Sequence, residues 1–200
     1  MAQSDPVAER VRLGCGKALL TYLRRNEPEL AARVLEALSE PTREVFESRN
    51  VLRWIPFAQH MELGDRIRDA VGSSEANTAI SRHAFIALLA RPMLRGFINS
   101  AMRLTSDPTG AVFERVPKLH DYLFDGIGTV RTVFTTSDHR VGRWSIEGFP
   151  DELHSFYCFL ESACGAIEAT ASVVPHDLNA TIESVGAGDA SILVERIDRA

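Results

Sequence analysis

The sequence predicts an α+β protein in which an N-terminal helical lobe, residues 6–126, packs on a C-terminal α/β lobe, residues 127–198. Three observations lead to this fold class. Apolar residues recur at helical spacing through the first part, two pairs of β-prone segments occupy the second, and one amphipathic helix separates the pairs. A ββαββ unit of this kind gives a four-stranded antiparallel sheet, and one face of such a sheet needs a cover. We expect the helical lobe to be that cover.

Proline and capping residues mark the helix starts in the helical lobe. The first predicted helix follows Pro6 and runs to about Arg25. The most regular amphipathic pattern lies at residues 93–104, and we expect this helix to lie at the centre of the protein. A last helix is predicted to start at Pro108 and to be kinked or divided at Pro117.

The α/β lobe is predicted from alternation and from β-prone composition. Residues 129–136 are rich in Val, Thr and Phe, and residues 141–147 alternate between apolar and polar side chains, which is typical of a hairpin. A second hairpin is predicted at residues 178–185 and 191–197, across a turn that contains two glycines. Between the hairpins, residues 153–167 carry apolar side chains at helical spacing and predict one long helix.

Length and composition limit the classes of protein. A chain of 200 residues suits one domain, so we predict a single domain over residues 1–200. The net charge of −5 argues against nucleic-acid binding, which needs a basic surface. No apolar run is long enough to span a membrane, and the N-terminus has no apolar signal core. Three cysteines make no disulfide framework, so we expect a cytoplasmic protein.

Three segments carry a resemblance to a known superfamily: TTSDHRVGRWSIEGF, PDELHSFYCFLESACGAI and NATIESVGAGDASILVERI. In this order, after a helical half, they resemble the superfamily of the haem nitric-oxide/oxygen-binding domains. The 4-vinyl reductase domains and vesicle-tethering subunits belong to the same group. The chain is similar above all to uncharacterised single-domain bacterial members, and the resemblance implies a module that binds a ligand and signals.

The resemblance also identifies positions at which haem binding can be judged. Haem proteins of that family use a histidine on the helix before the sheet, and the matching residue here is His120. They also carry a Tyr-x-Ser-x-Arg signature that grips the haem propionates, and the matching window is Thr135, Ser137 and His139. The Tyr and the Arg are missing from this window. The expectation is therefore no cofactor, with haem at His120 disfavoured and His120 a hydrogen-bonded or exposed helix residue.

No other motif points to chemistry. The six histidines share no metal-ligand spacing; His154 and Cys158 lie four residues apart, but further ligands are not evident. No GxSxG elbow activates a serine, and the GCGK segment lacks the spacing and the preceding strand of a phosphate loop. We therefore predict a protein that has no metal site and is not an enzyme.

Aromatic residues favour a ligand pocket at the junction of the lobes, because an apolar cavity with few polar groups is the usual small-molecule site. The candidate pocket residues are Trp54, His83, Phe97, His120, Tyr122 and Trp144. The alternative is that the aromatic side chains simply fill the core. Four arginines near the helix at residues 93–104 are either solvated or would fix an acidic ligand. These are Arg82, Arg91, Arg95 and Arg103.

Three functions remain open at this point. The first is a sensor that binds a hydrophobic or aromatic small molecule between the lobes and signals to a partner by a change of shape. The second is a protein-interaction or homodimerisation scaffold whose core is filled. The third is a haem gas sensor or an enzyme.

Overall fold

The computed structural model describes residues 9–102, 105–136, 138–150 and 156–199. Within these ranges the helices are α1 (Leu13–Asn26), α2 (Pro28–Ala37), α3 (Glu40–Glu47), α4 (Phe57–Val71), α5 (Ser74–Leu89), α6 (Pro92–Met102), α7 (Pro108–Phe113), α8 (Val116–Leu123) and α9 (Phe156–Ala169). The strands are β1 (Arg10–Arg12), β2 (Trp54–Pro56), β3 (Phe124–Asp125), β4 (Thr129–Phe134), β5 (Val141–Glu147), β6 (Asp177–Val185) and β7 (Ala190–Ile197). A 3₁₀ turn at Thr170–Ser172 follows α9.

The C-terminal lobe is a four-stranded antiparallel sheet with the strand order β4-β5-β7-β6. The two hairpins join through β5 and β7, where Trp144 lies opposite Ile192. Both of these side chains are buried, whereas Arg143 on the other face of β5 pairs with Glu183 at 2.7 Å. The predicted α+β class and the predicted ββαββ order are therefore confirmed.

Helix α9 connects the sheet to the helical lobe, because it packs along α5 on one side and across β6 on the other. Gly165 permits the close approach to α5: a Cβ atom at this position would lie 2.4 Å from the Thr78 carbonyl oxygen. Glu161 is buried on α9 and accepts hydrogen bonds from Arg68 Nε on α4 (3.1 Å) and Asn77 Nδ2 on α5 (2.8 Å). These bonds fix α9 to two helices of the other lobe.

The helical lobe also contains a small antiparallel sheet with the order β2-β1-β3, which the sequence did not predict. The prediction that residues 10–12 belong to the first helix is wrong, since they form β1 and α1 begins at Leu13. A strand of three residues is too short to show a clear alternation, and both of its partner strands are distant in sequence.

Side chains on both sides of β1 explain why it is extended. Val11 is fully buried, so the strand has one apolar side. On the other side, the Arg12 guanidinium carbon lies 3.8 Å from the centroid of the Trp54 ring, and Arg10 forms an ion pair with Asp125. A guanidinium over an indole face is a favourable cation–π contact. Both cross-strand contacts depend on the extended backbone.

The helix predicted to be central lies at the periphery. It is described as α6, which packs on α7 and the end of α5 and buries Leu94 and Ile98. Amphipathic spacing shows that one face of a helix is covered and not how deep the helix lies, so the central position was a wrong prediction. The division of the last helix near Pro117 is confirmed by the separate helices α7 and α8. The predicted start of the long helix before α9, residues 151–155, lies outside the described residues.

Substitution of Gly165 by alanine should destabilise the fold. The added methyl group would meet the α5 backbone, and overpacking of this kind typically costs about 1–3 kcal/mol. Gly96→Ala is a matched control, because an added Cβ on exposed α6 would meet no atom within 4 Å. That control should be neutral or stabilising by about 0.5–1 kcal/mol. Urea unfolding followed by circular dichroism measures both, and equal midpoints for the two variants would contradict the packing argument.

Candidate functional site

A mainly apolar cavity of about 90 Å³ lies where α1, α4, α5 and α8 meet α9 and β5. The residues with rings in its lining are His60, Phe85, His120, Phe124, Trp144 and Phe159. The aliphatic lining residues are Leu19, Leu89, Val116, Leu119, Leu123 and Ile167. Helix α9 and the 3₁₀ turn add Ser162, Ala163, Ala166 and Thr170.

Two helices supply most of the wall, each through one face. Helix α8 presents Val116, Leu119, His120 and Leu123, whose spacing of three and four residues puts them on one side. Helix α9 also faces the cavity with one side, from Phe159 onwards, and several residues on that side are small. Because Ser162, Ala163 and Ala166 are small, they leave space that larger side chains would fill.

His120 is the polar residue on the α8 wall. Its side chain is 7 % exposed, its ring stacks on Phe124 with centroids 4.8 Å apart, and no described residue hydrogen-bonds to Nε2. Burial lowers the pKa of His120 to about 4, although the Asp121 carboxylate and a hydrogen bond to the Ile127 backbone oppose this shift. Since Nε2 has no partner, Nδ1 makes the bond to Ile127. The imidazole is therefore neutral at pH 7, with its lone pair on Nε2.

His60 is a second imidazole in the same lining, and its side chain is half-buried. It lies on α4, where its ring packs on Phe57 (centroids 6.1 Å apart) and on Phe124 (6.4 Å). Its Nδ1 atom is buried and has no hydrogen-bond partner among the described residues. Burial lowers the pKa of His60 to about 4, so this ring is also neutral at pH 7. An unpaired buried polar group costs roughly 1–3 kcal/mol.

Comparison with known proteins gives matches in structure only. No family model and no curated protein sequence matches the chain. The Fe(II) unliganded H-NOX protein from K. algicida has a TM-score of 0.64 at 9% identity, over 92% of this chain and 96% of that chain. The H-NOX protein from S. oneidensis in the Fe(II)NO ligation state has a TM-score of 0.61 at 8% identity, over 92% and 99% of the chains. A structure described as probing haem distortion in the H-NOX family has a TM-score of 0.60 at 12% identity, over 94% and 95%.

The chain has the H-NOX fold. Sequence identities this low establish the fold alone. The shared fold confirms the resemblance to the haem NO/oxygen-binding superfamily. They also contradict one expectation. The neighbours are described with Fe(II), with an Fe(II)NO state or with haem, so the prediction of no cofactor, with haem at His120 disfavoured, is wrong.

The prediction about haem was wrong because the residues compared with the propionate-binding signature do not line the cavity. Thr135 and His139 belong to the turn between β4 and β5, and neither lines the cavity of this H-NOX fold. His139 Nδ1 instead contacts Asp107 Oδ2 at 3.1 Å, and its ring stacks on Phe134 at 4.4 Å. Ser137 lies outside the described residues. A comparison at this turn therefore carries no information about the cavity.

The H-NOX fold brings only some of the predicted pocket residues together. His120 and Trp144 line the cavity. Trp54 lies in β2 with its ring against the Arg12 guanidinium, and the Tyr122 ring lies 5.4 Å from the same guanidinium carbon. His83 is exposed on α5, stacked on Tyr22, and the side chain of Phe97 lies outside the description. Of the four arginines, Arg82 pairs with Glu168 at 3.8 Å on the surface, and none lines the cavity as far as it is described.

Sequence reasoning did not name His60 and Phe159 as cavity residues. A signal for His60 exists, because it lies three residues after Phe57 and one before Met61, on the buried face of a predicted helix. A histidine within an apolar stripe is a candidate for a site. Phe124 belongs to the aromatic residues that favour a pocket at the junction of the lobes, and it lines the cavity from β3, directly after α8.

Other reactive groups do not form a second site. Burial raises the pKa of Cys15, Cys158 and Cys164 to about 12, so all three thiols are protonated at pH 7. Among the residues the structure describes, no three His, Cys, Asp or Glu side chains come together to hold a metal ion. His154 lies outside the described residues. None of the helices in the described part of the chain is long and apolar enough to cross a membrane.

The two cavity histidines should make stability depend on pH. Each has a pKa of about 4 in the folded protein, against an ordinary histidine value of 6.5, so the unfolded chain binds more protons below pH 6.5. Stability is then complete above pH 6.5 and falls as the pH drops towards 4, by roughly 3 kcal/mol per histidine. Urea unfolding from about pH 7.5 to about pH 5 measures the first part of this loss, roughly 2 kcal/mol per histidine.

The control for this experiment is a third histidine. The double variant His60→Leu/His120→Leu should lose most of the pH dependence, whereas His83→Leu should keep it because His83 is exposed. An unchanged pH dependence in the double variant would show that other groups cause the effect.

Proposed function

We propose that this protein is a sensor module that would bind haem at the cavity, with His120 as the residue that would hold the iron. The observation that carries the proposal is the state of His120: a buried, neutral imidazole whose Nε2 lone pair has no described partner. The H-NOX fold supports the same choice, since the neighbours with this fold are described with Fe(II) or haem.

The residues around His120 fit a role as a metal ligand. A histidine that binds a metal usually donates its other ring N–H to a carbonyl or carboxylate, which fixes the tautomer and the ring orientation. The Ile127 backbone does this for His120, and the stacked Phe124 ring restricts rotation. The low pKa keeps the nitrogen available, because protons do not compete with a metal at pH 7.

The size of the cavity sets a condition on binding. Its volume of about 90 Å³ is well below the roughly 300–1,000 Å³ of sites for ligands of drug size, so the walls must move apart to admit a macrocycle. A second space of about 20 Å³ shares Leu89, Val116, Leu119 and Thr170 with the cavity, so the two can merge when that wall moves. Arg115 also lines this second space.

The movement of the cavity walls that haem binding requires supports a signalling role. Bound haem supplies an iron atom at which a small ligand such as NO can bind, as the S. oneidensis structure is described. The cavity walls belong to both lobes, so a change in the space they enclose changes how α8 sits against α9 and the sheet. We propose that a partner protein reads this change and that the module has no enzymatic activity of its own, which the three protonated thiols support.

Titration with hemin tests the proposal. The wild-type chain should develop a Soret band, and His120→Ala should bind hemin at least about tenfold more weakly because it lacks the nitrogen ligand. Free imidazole added to His120→Ala should restore the spectrum, which a purely structural role of His120 would not permit. His83→Ala is the matched control, since it removes an exposed histidine and should bind as the wild type does. The absence of a Soret band in the wild type would overturn the proposal.

A further inference from the structure

The free edge of the four-stranded sheet has no role in the function proposed above. Strand β6 ends the order β4-β5-β7-β6, and no described strand pairs with its outer side. It is nine residues long, which is long for an edge strand, whereas β4 at the opposite edge has six residues and contacts α8. An edge of this length offers a row of backbone N–H and C=O groups to another strand.

Three residues of β6 direct their backbone groups towards the free edge. The Arg196 amide donates to the Arg140 carbonyl at 2.8 Å, so the even-numbered residues of β7 bond to β5 and the odd-numbered ones face β6. Those odd-numbered residues lie opposite Asn179 and Thr181 of β6. Because an antiparallel pair alternates, the residues between and beside these two face away from β7. They are Leu178, Ala180 and Ile182.

The hydrogen bond of Ala180 agrees with this assignment. Its backbone N–H donates to Glu168 Oε1 on α9 at 3.3 Å, so it does not point at β7. A charged side chain at a sheet edge is one of the ways in which proteins limit unwanted strand pairing. The same carboxylate lies 3.8 Å from Arg82, so it has a second partner when it leaves the amide. A strand that offers a backbone carbonyl can therefore replace Glu168 at Ala180.

An open groove of about 700 Å³ lies beside this edge, between β6 and the helices α5 and α9. Ala180, Thr181 and Ile182 line it from the strand, and Ala79 and Cys164 line it from the helices. The side chains of Ala180 and Ile182 are half-buried, so the helices cover them only in part. The groove has room for the side chains of one more strand on the same face of the sheet.

The sequence of the edge indicates which strand fits. Residues 178–182 are apolar at both ends, polar one position inwards and small in the middle. A second copy can pair with this segment in the antiparallel direction about a two-fold axis at Ala180. Leu178 of each copy then lies opposite Ile182 of the other, and the three edge-facing residues of each strand meet edge-facing residues. Asn179 lies opposite Thr181 in the same way, so each pair matches in polarity and no like charges meet within the segment.

We propose that the chain forms a two-fold symmetric homodimer through β6, in which two four-stranded sheets join into one antiparallel sheet. Such an interface is isologous, because the same segment serves in both subunits. On association the Ala180 amide exchanges the Glu168 carboxylate for the carbonyl of the same residue in the second copy. This inference does not involve haem, so it stands or falls separately from the proposed function.

Two double variants test both the pairing and its register. Asn179 and Thr181 are exposed on the face of the sheet away from the helices, so changes there leave the fold of one chain intact. Asn179→Lys/Thr181→Lys puts lysine opposite lysine twice and should weaken the dimer at least about tenfold. Asn179→Lys/Thr181→Glu puts lysine opposite glutamate twice and should associate at least as tightly as the wild type. Sedimentation equilibrium of the full chain at micromolar concentrations measures the dissociation constants.

Glu168→Ala tests the exchange at the Ala180 amide in the opposite direction. It removes the group that competes with the second copy, so the dimer should become tighter than in the wild type. Arg82→Ala is the matched control, because it breaks the same ion pair but leaves the carboxylate at the amide, and it should not tighten the dimer.

Two results would overturn the proposal. One is a wild-type chain that stays monomeric at micromolar concentrations. The other is a dimer with equal dissociation constants in the two double variants, since its interface would then lie elsewhere on the surface.

Discussion

The contact between α5 and α9 is the constraint on which the other features of this fold depend. Gly165 allows the two backbones to approach, and a side chain there would collide with the Thr78 carbonyl oxygen at 2.4 Å. The buried Glu161 then binds Arg68 and Asn77, which sets the rotation of α9 about its axis. That rotation points the small residues of α9 towards α8, and a cavity remains between them. The site is thus a consequence of how two helices pack.

The cavity shows a conflict between stability and binding that is common at functional sites. Two imidazoles without described partners, in a lining that is otherwise mostly apolar, reduce the stability of the protein. Replacement of both by leucine or phenylalanine would suit a core whose only role is packing. The haem proposed above would recover part of this free energy, because its iron would supply the contact that His120 Nε2 lacks.

Alternation within the hairpins made the C-terminal lobe predictable, since Trp144 and Ile146 occupy alternate positions of β5 and both are buried. The small sheet was not predictable, because Val11 is stabilised by strands at Trp54–Pro56 and Phe124–Asp125 that sequence periodicity does not connect to it. The same limit applies to the site. Periodicity indicates which residues share a helix face, as for His60 with Phe57, but it does not indicate which faces of α4, α8 and α9 meet. The resemblance and the aromatic content predict His120 and Trp144 as pocket residues, but they do not predict His60.

Phe124 belongs to two structures at once. Its ring forms part of the cavity wall and contacts both His60 and His120, and its backbone pairs with Val11 in the small sheet. Because β1 also pairs with β2, displacement of this one ring bears on three segments, at residues 10–12, 54–56 and 124–125. The filling of the cavity is therefore mechanically linked to the strand that leads into α1. The small sheet has few paired residues, so it is disrupted more readily than the four-stranded sheet. The small sheet is therefore the part of the fold that moves most easily when the cavity changes.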